Sequence, residues 1–130
     1  MRKEIKNRED VYKLVTTFYG RIRSDVYLGP IFNKHITDWP HHFEHLKDFW
    51  EGNLFQKRIF TGRPLQAHKR VDRDEGYTIN DQHFGVWLNH WEQTVDELYE
   101  GDLAEMAKFR ARKIGTFFLV NMFQAKPGVE

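Results

Sequence analysis

Residues 39–50 read "WPHHFEHLKDFW", three histidines within five positions beside four aromatic residues. On a helix, residues three and four apart share a face, so Trp39, His42, Phe43, Leu46, Phe49 and Trp50 form one broad apolar stripe. His42 is the polar exception on it. His41 and His45 lie on a different face, with Asp38 and Asp48, and point toward charge and water. The triple therefore separates into a surface pair and one imidazole aimed inward. An inward imidazole is either satisfied by a backbone carbonyl as part of a core or belongs to a site, and other residues must decide between these.

Working outward, the helical period recurs through most of the chain, and no strand-like alternation lasts beyond a few residues, which predicts an all-α fold. From Asn7 to about Asp25, "NREDVYKLVTTFYGRIRSD" places Val11, Leu14, Val15, Phe18 and Ile22 on one stripe, with Asn7 and Asp10 as a capping pair. One helix or two joined helices fit this segment. "LGPIFNKHI" carries a Gly-Pro turn signal and a short apolar stub, after which Asp38 can cap a helix to about Gln56. In "FTGRPLQAHKR", Pro64 suits the first turn of a short helix containing His68. "VDRDEGY" reads as a charged loop. Thr78, Asn80 or Asp81 can open the next helix, "NDQHFGVWLNHWEQTVDELYEG", stopped at Gly101. Asp102 and Glu105 have capping-box spacing ahead of the last helix, "DLAEMAKFRARKIGTFFLVNMFQ", which ends before Pro127 and Gly128. No repeat, low-complexity tract or linker interrupts residues 1–130, so a single domain with one core is expected.

Charge and composition exclude several function classes. Twenty basic and nineteen acidic residues leave a formal charge of +1, too weak a field to predict nucleic-acid or membrane partners. The absence of cysteine removes disulfides, thiolate metal sites, CxxCH haem attachment and cysteine nucleophiles together. "MRKEIKNRED" has no apolar signal core and "TFFLVNMF" is too short to span a bilayer, so a soluble, cytoplasmic protein is expected. Eleven Phe, five Tyr and four Trp make a ring-rich interior, which serves either as an aromatic core or as a pocket for a flat apolar cofactor.

Two more polar groups sit on aromatic stripes. Tyr19 follows Phe18 and brings a hydroxyl that needs a partner if buried, and Trp87 carries an indole N–H within the stripe Phe84, Trp87, Leu88, Trp91, Val95, Leu98. Three helices thus each offer an aromatic stripe and one polar group able to face a shared cavity. His68, near Leu65 but flanked by Lys69 and Arg70, reads from spacing alone as a surface residue. His41 and His45 have the i, i+4 spacing of a zinc-chelating pair, but a structural zinc site takes about four ligands, and neither HExxH nor cysteine supplies the rest.

In this order, "FYGRIRSDVYLGPIF", "DWPHHFEHLKDFW", "FTGRPLQAH" and "HFGVWLNHWEQTVDELY" resemble the group III truncated haemoglobins over nearly the whole chain. Like that group, the chain lacks the glycine-glycine pairs of other truncated globins. The resemblance implies a two-over-two helical sandwich, helices B and E over G and H, around a noncovalently held haem b. It implies His68, the histidine of "GRPLQAH", as the proximal iron ligand, with Tyr19, His42 and Trp87 as distal residues facing the bound gas. On that reading Leu46, Phe49, Trp50, Phe60, Leu65, Phe84 and Trp87 are candidate haem contacts, and Arg63 and Lys69 candidate partners of the haem propionates. The stretch "HKRVDRDEGYTINDQHF" is longer and more charged than the family pattern, which keeps His83 as a rival ligand.

The implied activity is binding of dioxygen and other diatomic ligands at a five-coordinate iron. Candidate reactions are oxygen-dependent nitric oxide consumption and peroxide chemistry, each needing an electron donor for turnover, and no GxGxxG dinucleotide motif is present to bind one internally. Two readings from other classes stand beside it: a cofactor-free helical interaction module whose aromatic stripes are core, and a zinc binder built on His41 and His45.

Overall fold

The computed structural model of the chain describes residues 2–57 and 62–128. Its helices are α1 (Arg8–Ser24), α2 (Gly29–His35), α3 (Trp39–Phe55), α4 (Pro64–Asp74), α5 (Asp81–Leu98) and α6 (Asp102–Gln124). Each sequence segment with helical periodicity folds as a helix, and α6 spans the predicted residues.

The stripe on α1 is buried along its whole length, Val11, Leu14, Val15, Phe18, Tyr19 and Ile22 together. That face packs on α3 and on α5, α5 packs on α6, and α3 closes the ring against α6. Two helix pairs, α1 with α3 and α5 with α6, are therefore stacked as the two layers of the expected sandwich. Trp91 of α5 sits at the centre, stacked on Trp50 of α3 at 4.4 Å, edge-on to Phe18 of α1 at 5.0 Å, and donating its indole N–H to the Ala107 carbonyl of α6 at 3.1 Å.

Local chemistry sets the boundaries. The Asn7 side chain accepts from Asp10 N and opens α1, while the Asp10 carboxylate turns back to Lys6 N, one residue earlier than a reciprocal box requires. Asp25 ends α1 as a single helix and accepts from the backbone N–H of both Tyr27 and Leu28, forming the turn into α2. A side chain at Gly29 would meet the Arg23 carbonyl at 2.6 Å, so only glycine lets α2 start this close to the end of α1. Asp38 caps α3 through His41 N.

Two expectations are corrected, and a choice left open is resolved. "VDRDEGY" is not all loop, because α4 continues through Val71 to Asp74, carried by the buried Asp72. Of the three candidates to open α5, Asn80 is the cap, while Thr78 donates instead to the Glu75 carbonyl and closes the turn after α4. Asp102 does not cap α6; Gly101 occupies that position at φ 98°, and Glu105 pairs with Lys108.

The buried apolar residues form two clusters rather than one. The larger is centred on Phe18, Trp50 and Trp91, with Tyr19 and Trp39 at its edge and Trp87 packed against it. The smaller contains Ile79, Phe118 and Met122, with Leu65 and Phe84 packed against it. Tyr19, His42 and Trp87 gather at the larger cluster, and His68 packs on Phe118 and Phe84 of the smaller one. Among the described residues, no helix is long and apolar enough to cross a membrane.

Candidate functional site

Tyr19 points inward from α1, in step with the buried stripe, and is 5% exposed. Its ring meets His42 edge-on at 5.2 Å, and Phe32, Trp39 and Phe43 close around it at 5.9, 5.8 and 6.4 Å. Burial raises the phenol pKa above its ordinary value of 10, opposed by a hydrogen bond from Trp87. Indole can only donate, so the Tyr19 oxygen accepts and its own proton remains available to a further acceptor. α1, α3 and α5 thereby bring Tyr19, His42 and Trp87 together as the aromatic stripes predict.

His42 lies on the same wall, between Tyr19 and Trp39. Its Nε2 is buried with no hydrogen-bond partner. Burial, and then the neighbouring imidazoles of His45, His41 and His68, pull its pKa down to about 4, so the ring is neutral near pH 7. A buried polar nitrogen left unpaired is costly in an ordinary core and marks a place where a ligand supplies the missing partner.

His68 lies on the second turn of α4, near enough to His42 for its imidazole to lower the His42 pKa. Its Nδ1 donates to the Pro64 carbonyl at 2.6 Å, the helical i−4 contact, and its ring lies 4.4 Å from Phe118 and 6.3 Å from Phe84. Burial lowers its pKa, with the Pro64 hydrogen bond acting the other way. The imidazole is thus neutral with its proton fixed on Nδ1, which leaves the Nε2 lone pair for a metal. His83, the rival, is engaged in the Asn80 cap of α5 and stacked on Tyr27 at 4.6 Å.

No protein-family profile matches the sequence. The chain is 30% identical over 122 residues to the group 3 truncated hemoglobin ctb of Campylobacter jejuni, covering 91% of this chain and 92% of that protein. It belongs to the group III truncated haemoglobins. The crystal structure of group III truncated hemoglobin from Campylobacter jejuni superposes with a TM-score of 0.84 at 28% identity, over 97% of this chain and 98% of that one. As a truncated globin the chain is expected to hold a haem, and its residues fit one. His68 holds its proton on Nδ1 and keeps Nε2 for a metal, while a buried imidazole nitrogen without a partner and a protonated phenol stand together at His42 and Tyr19, a donor set suited to an iron and a polar ligand upon it.

The remaining site candidates of this globin divide by position. Leu46 and Phe49 are half-buried on α3 against the larger cluster, and Leu65 and Phe84 pack on the smaller one. Trp50 is deeper, stacked on Trp91 within the core. Arg63 caps α4 from an exposed position and Lys69 is half-buried one turn beyond Pro64. Phe60 lies outside the described residues. Phe118 against His68 is a contact the sequence does not reveal, because the run "TFFLVNMF" is apolar nearly all round and its phase is unreadable. His41 and His45 stack at 6.4 Å, and among the described residues no cluster of three or more His, Cys, Asp or Glu able to hold a metal ion exists.

Proposed function

We propose that this chain is a cytoplasmic haem protein that binds dioxygen and other diatomic ligands, with haem b held noncovalently and His68 as its iron ligand. The observation that carries the reading is the Nδ1–H to Pro64 hydrogen bond, which fixes the one tautomer of His68 able to coordinate through Nε2. When bound, the haem would supply an iron able to take a diatomic ligand. The Tyr19 hydroxyl would donate a hydrogen bond to a bound ligand that carries negative charge, and the Trp87 indole N–H beside it would polarise that hydroxyl. A charge-assisted hydrogen bond of this kind is worth roughly 1.5 to 3 kcal/mol, enough to slow ligand release by about tenfold or more. Tight retention of this kind argues against simple delivery and for consumption of nitric oxide or peroxide, supplied with electrons by a separate donor. His42, neutral and with Nε2 facing the same space, is the residue able to take or return a proton in such chemistry.

Titration with haemin tests the core of the reading. A one-to-one complex with a Soret band is expected, His68→Gly should lose the five-coordinate ferrous spectrum, and added imidazole should partly restore it. A chain that refuses haemin would favour the cofactor-free helical module. Stopped-flow mixing of the oxygenated protein with nitric oxide, with and without a reducing system, tests the reaction.

A further inference from the structure

Helix α4 carries the proximal histidine, yet among the described residues its body packs substantially on one other helix, α6. Two points fix its register there. At one, the Phe118 ring covers the His68 ring at 4.4 Å. At the other, Asp72, one turn after His68 on the same face of α4 and 2% exposed, receives Lys126 Nζ on both carboxylate oxygens at 3.0 and 2.9 Å. Phe118 and Met122 lie one turn apart on α6, and Lys126 follows two residues past the helix end, on the turn closed by its N–H to the Phe123 carbonyl, so the second contact comes from the chain that leaves α6. Asp72 is also the hub of the turn that follows: its carboxylate accepts from Ile79 N, its carbonyl from Tyr77 N, and Lys126 Nζ binds the Tyr77 carbonyl. Tyr77 is held there at φ 62°, a conformation that persists in a non-glycine residue only where its surroundings over-determine it. A second tether joins Glu75 to Lys34 and His35 of α2, but it holds the end of α4 rather than its register on α6.

We infer that the Lys126–Asp72 ion pair is a register lock for the proximal helix, and that Lys126, far outside the haem site in sequence, is a positioning residue for His68. The apolar contacts of Leu65 and His68 with the Phe118 cluster would let α4 slide or roll on α6; a directional ion pair from the turn after α6 adds a second fixed point at the other end of α4, and with it holds the direction of the His68 lone pair. Asp72 is the more buried partner, so removing Lys126 leaves its carboxylate with the Ile79 N–H alone and weakens the seat of α4.

The inference rests on His68 being the iron ligand, and its test has one arm that does not. In the haem-free full-length chain, Lys126→Met and Asp72→Asn should each shift the His68 ring-proton resonances, which feel the Phe118 ring current. Each should also speed amide exchange in α4 by about tenfold or more while α1 and α5 hold their rates. In the haem-loaded ferrous protein, resonance Raman should show a broadened or displaced iron–histidine band, and haem transfer to apomyoglobin should quicken by about tenfold. Lys126→Arg should restore all four readouts, and the double variant should be no worse than either single one. Unchanged His68 resonances and an unchanged iron–histidine band in Lys126→Met would overturn the inference, as would exchange rising equally in α1 and α5, which would make the pair a general clamp. A chain that takes up no haem would sink the proposed function and leave the haem-free arm to decide the lock.

Discussion

Tyr19 has an aromatic neighbour on almost every side, with the Trp87 indole acting on its hydroxyl, so replacing it with Phe removes one polar atom and little volume. Tyr19→Phe and Trp87→Phe should each speed dioxygen dissociation by about tenfold or more and change carbon monoxide release far less, because carbon monoxide develops less negative charge for a donor to stabilise. Equal effects on both gases would point to access rather than hydrogen bonding. His42 makes a different prediction. Its pKa falls from 6.5 to about 4 on folding, so between those values the native state binds fewer protons than the unfolded chain. The haem-free protein should therefore lose stability as pH drops from 6.5 toward 4 and regain it above 6.5. His42 is only part-buried, and after screening its share is about 1 kcal/mol, readable as a smaller pH 7 to pH 4.5 difference in urea midpoint for His42→Phe than for wild type. A difference of equal size in the two proteins would assign the acid sensitivity to other groups. Of the site, Tyr19, His42 and Trp87 are legible from the helical wheel, because each is a polar atom on an otherwise apolar stripe. Lys47, Glu51 and Asp72 are buried too, and nothing in their spacing says so; their burial depends on cations and carboxylates far away in sequence or on a neighbouring turn, such as Lys126 for Asp72 and Arg8 for Glu51.

At the level of elements, helix starts are read well where a side chain accepts from the backbone two or three residues on, as at Asn7, Asp38 and Asn80. At α6 the start at Asp102 is read correctly but its cap is not, because Gly101 stands where a capping side chain is expected. The end of α4 is misread for another reason: a run of alternating charges resembles a solvated loop until one of its carboxylates is neutralised by Lys126. His68 is hidden in the same way, since Lys69 and Arg70 beside it suggest a surface while the opposite face of α4 lies on Phe118. His83 separates the two histidine candidates experimentally. At the third position of α5 its Nδ1 accepts from Asn80 N, completing a capping box. His83→Ala should cost about 0.5 to 1 kcal/mol in a denaturant titration and leave the five-coordinate ferrous spectrum intact. Loss of that spectrum on removing His83, with His68 present, would move the iron ligand to α5.

For the molecule as a whole, periodicity predicts helices but not which of them pair, because several amphipathic stripes of similar width can be matched in more than one way; the resemblance to truncated globins supplied the pairing. What makes this pairing stable is visible in the contacts of Trp91. The residue is fully buried and touches one member of every helix in the sandwich: Phe18 on α1, Trp50 on α3, Trp87 on its own α5, and the Ala107 carbonyl on α6. Truncating it would empty a space the size of an indole where the two layers meet, and rings held on three sides cannot all move in to fill it. Trp91→Ala is therefore expected to cost about 3 to 5 kcal/mol in the haem-free protein, the upper range for a core aromatic, and to lower haem retention as the walls carrying Tyr19 and Trp87 loosen. Phe117→Ser or Phe123→Ser, on the exposed face of α6, should change stability by no more than about 0.5 kcal/mol in the same urea titration. A Trp91→Ala cost below about 1 kcal/mol would mean that the layers close over the gap and that the sandwich is held chiefly by its helix-pair contacts, with the central ring a passenger.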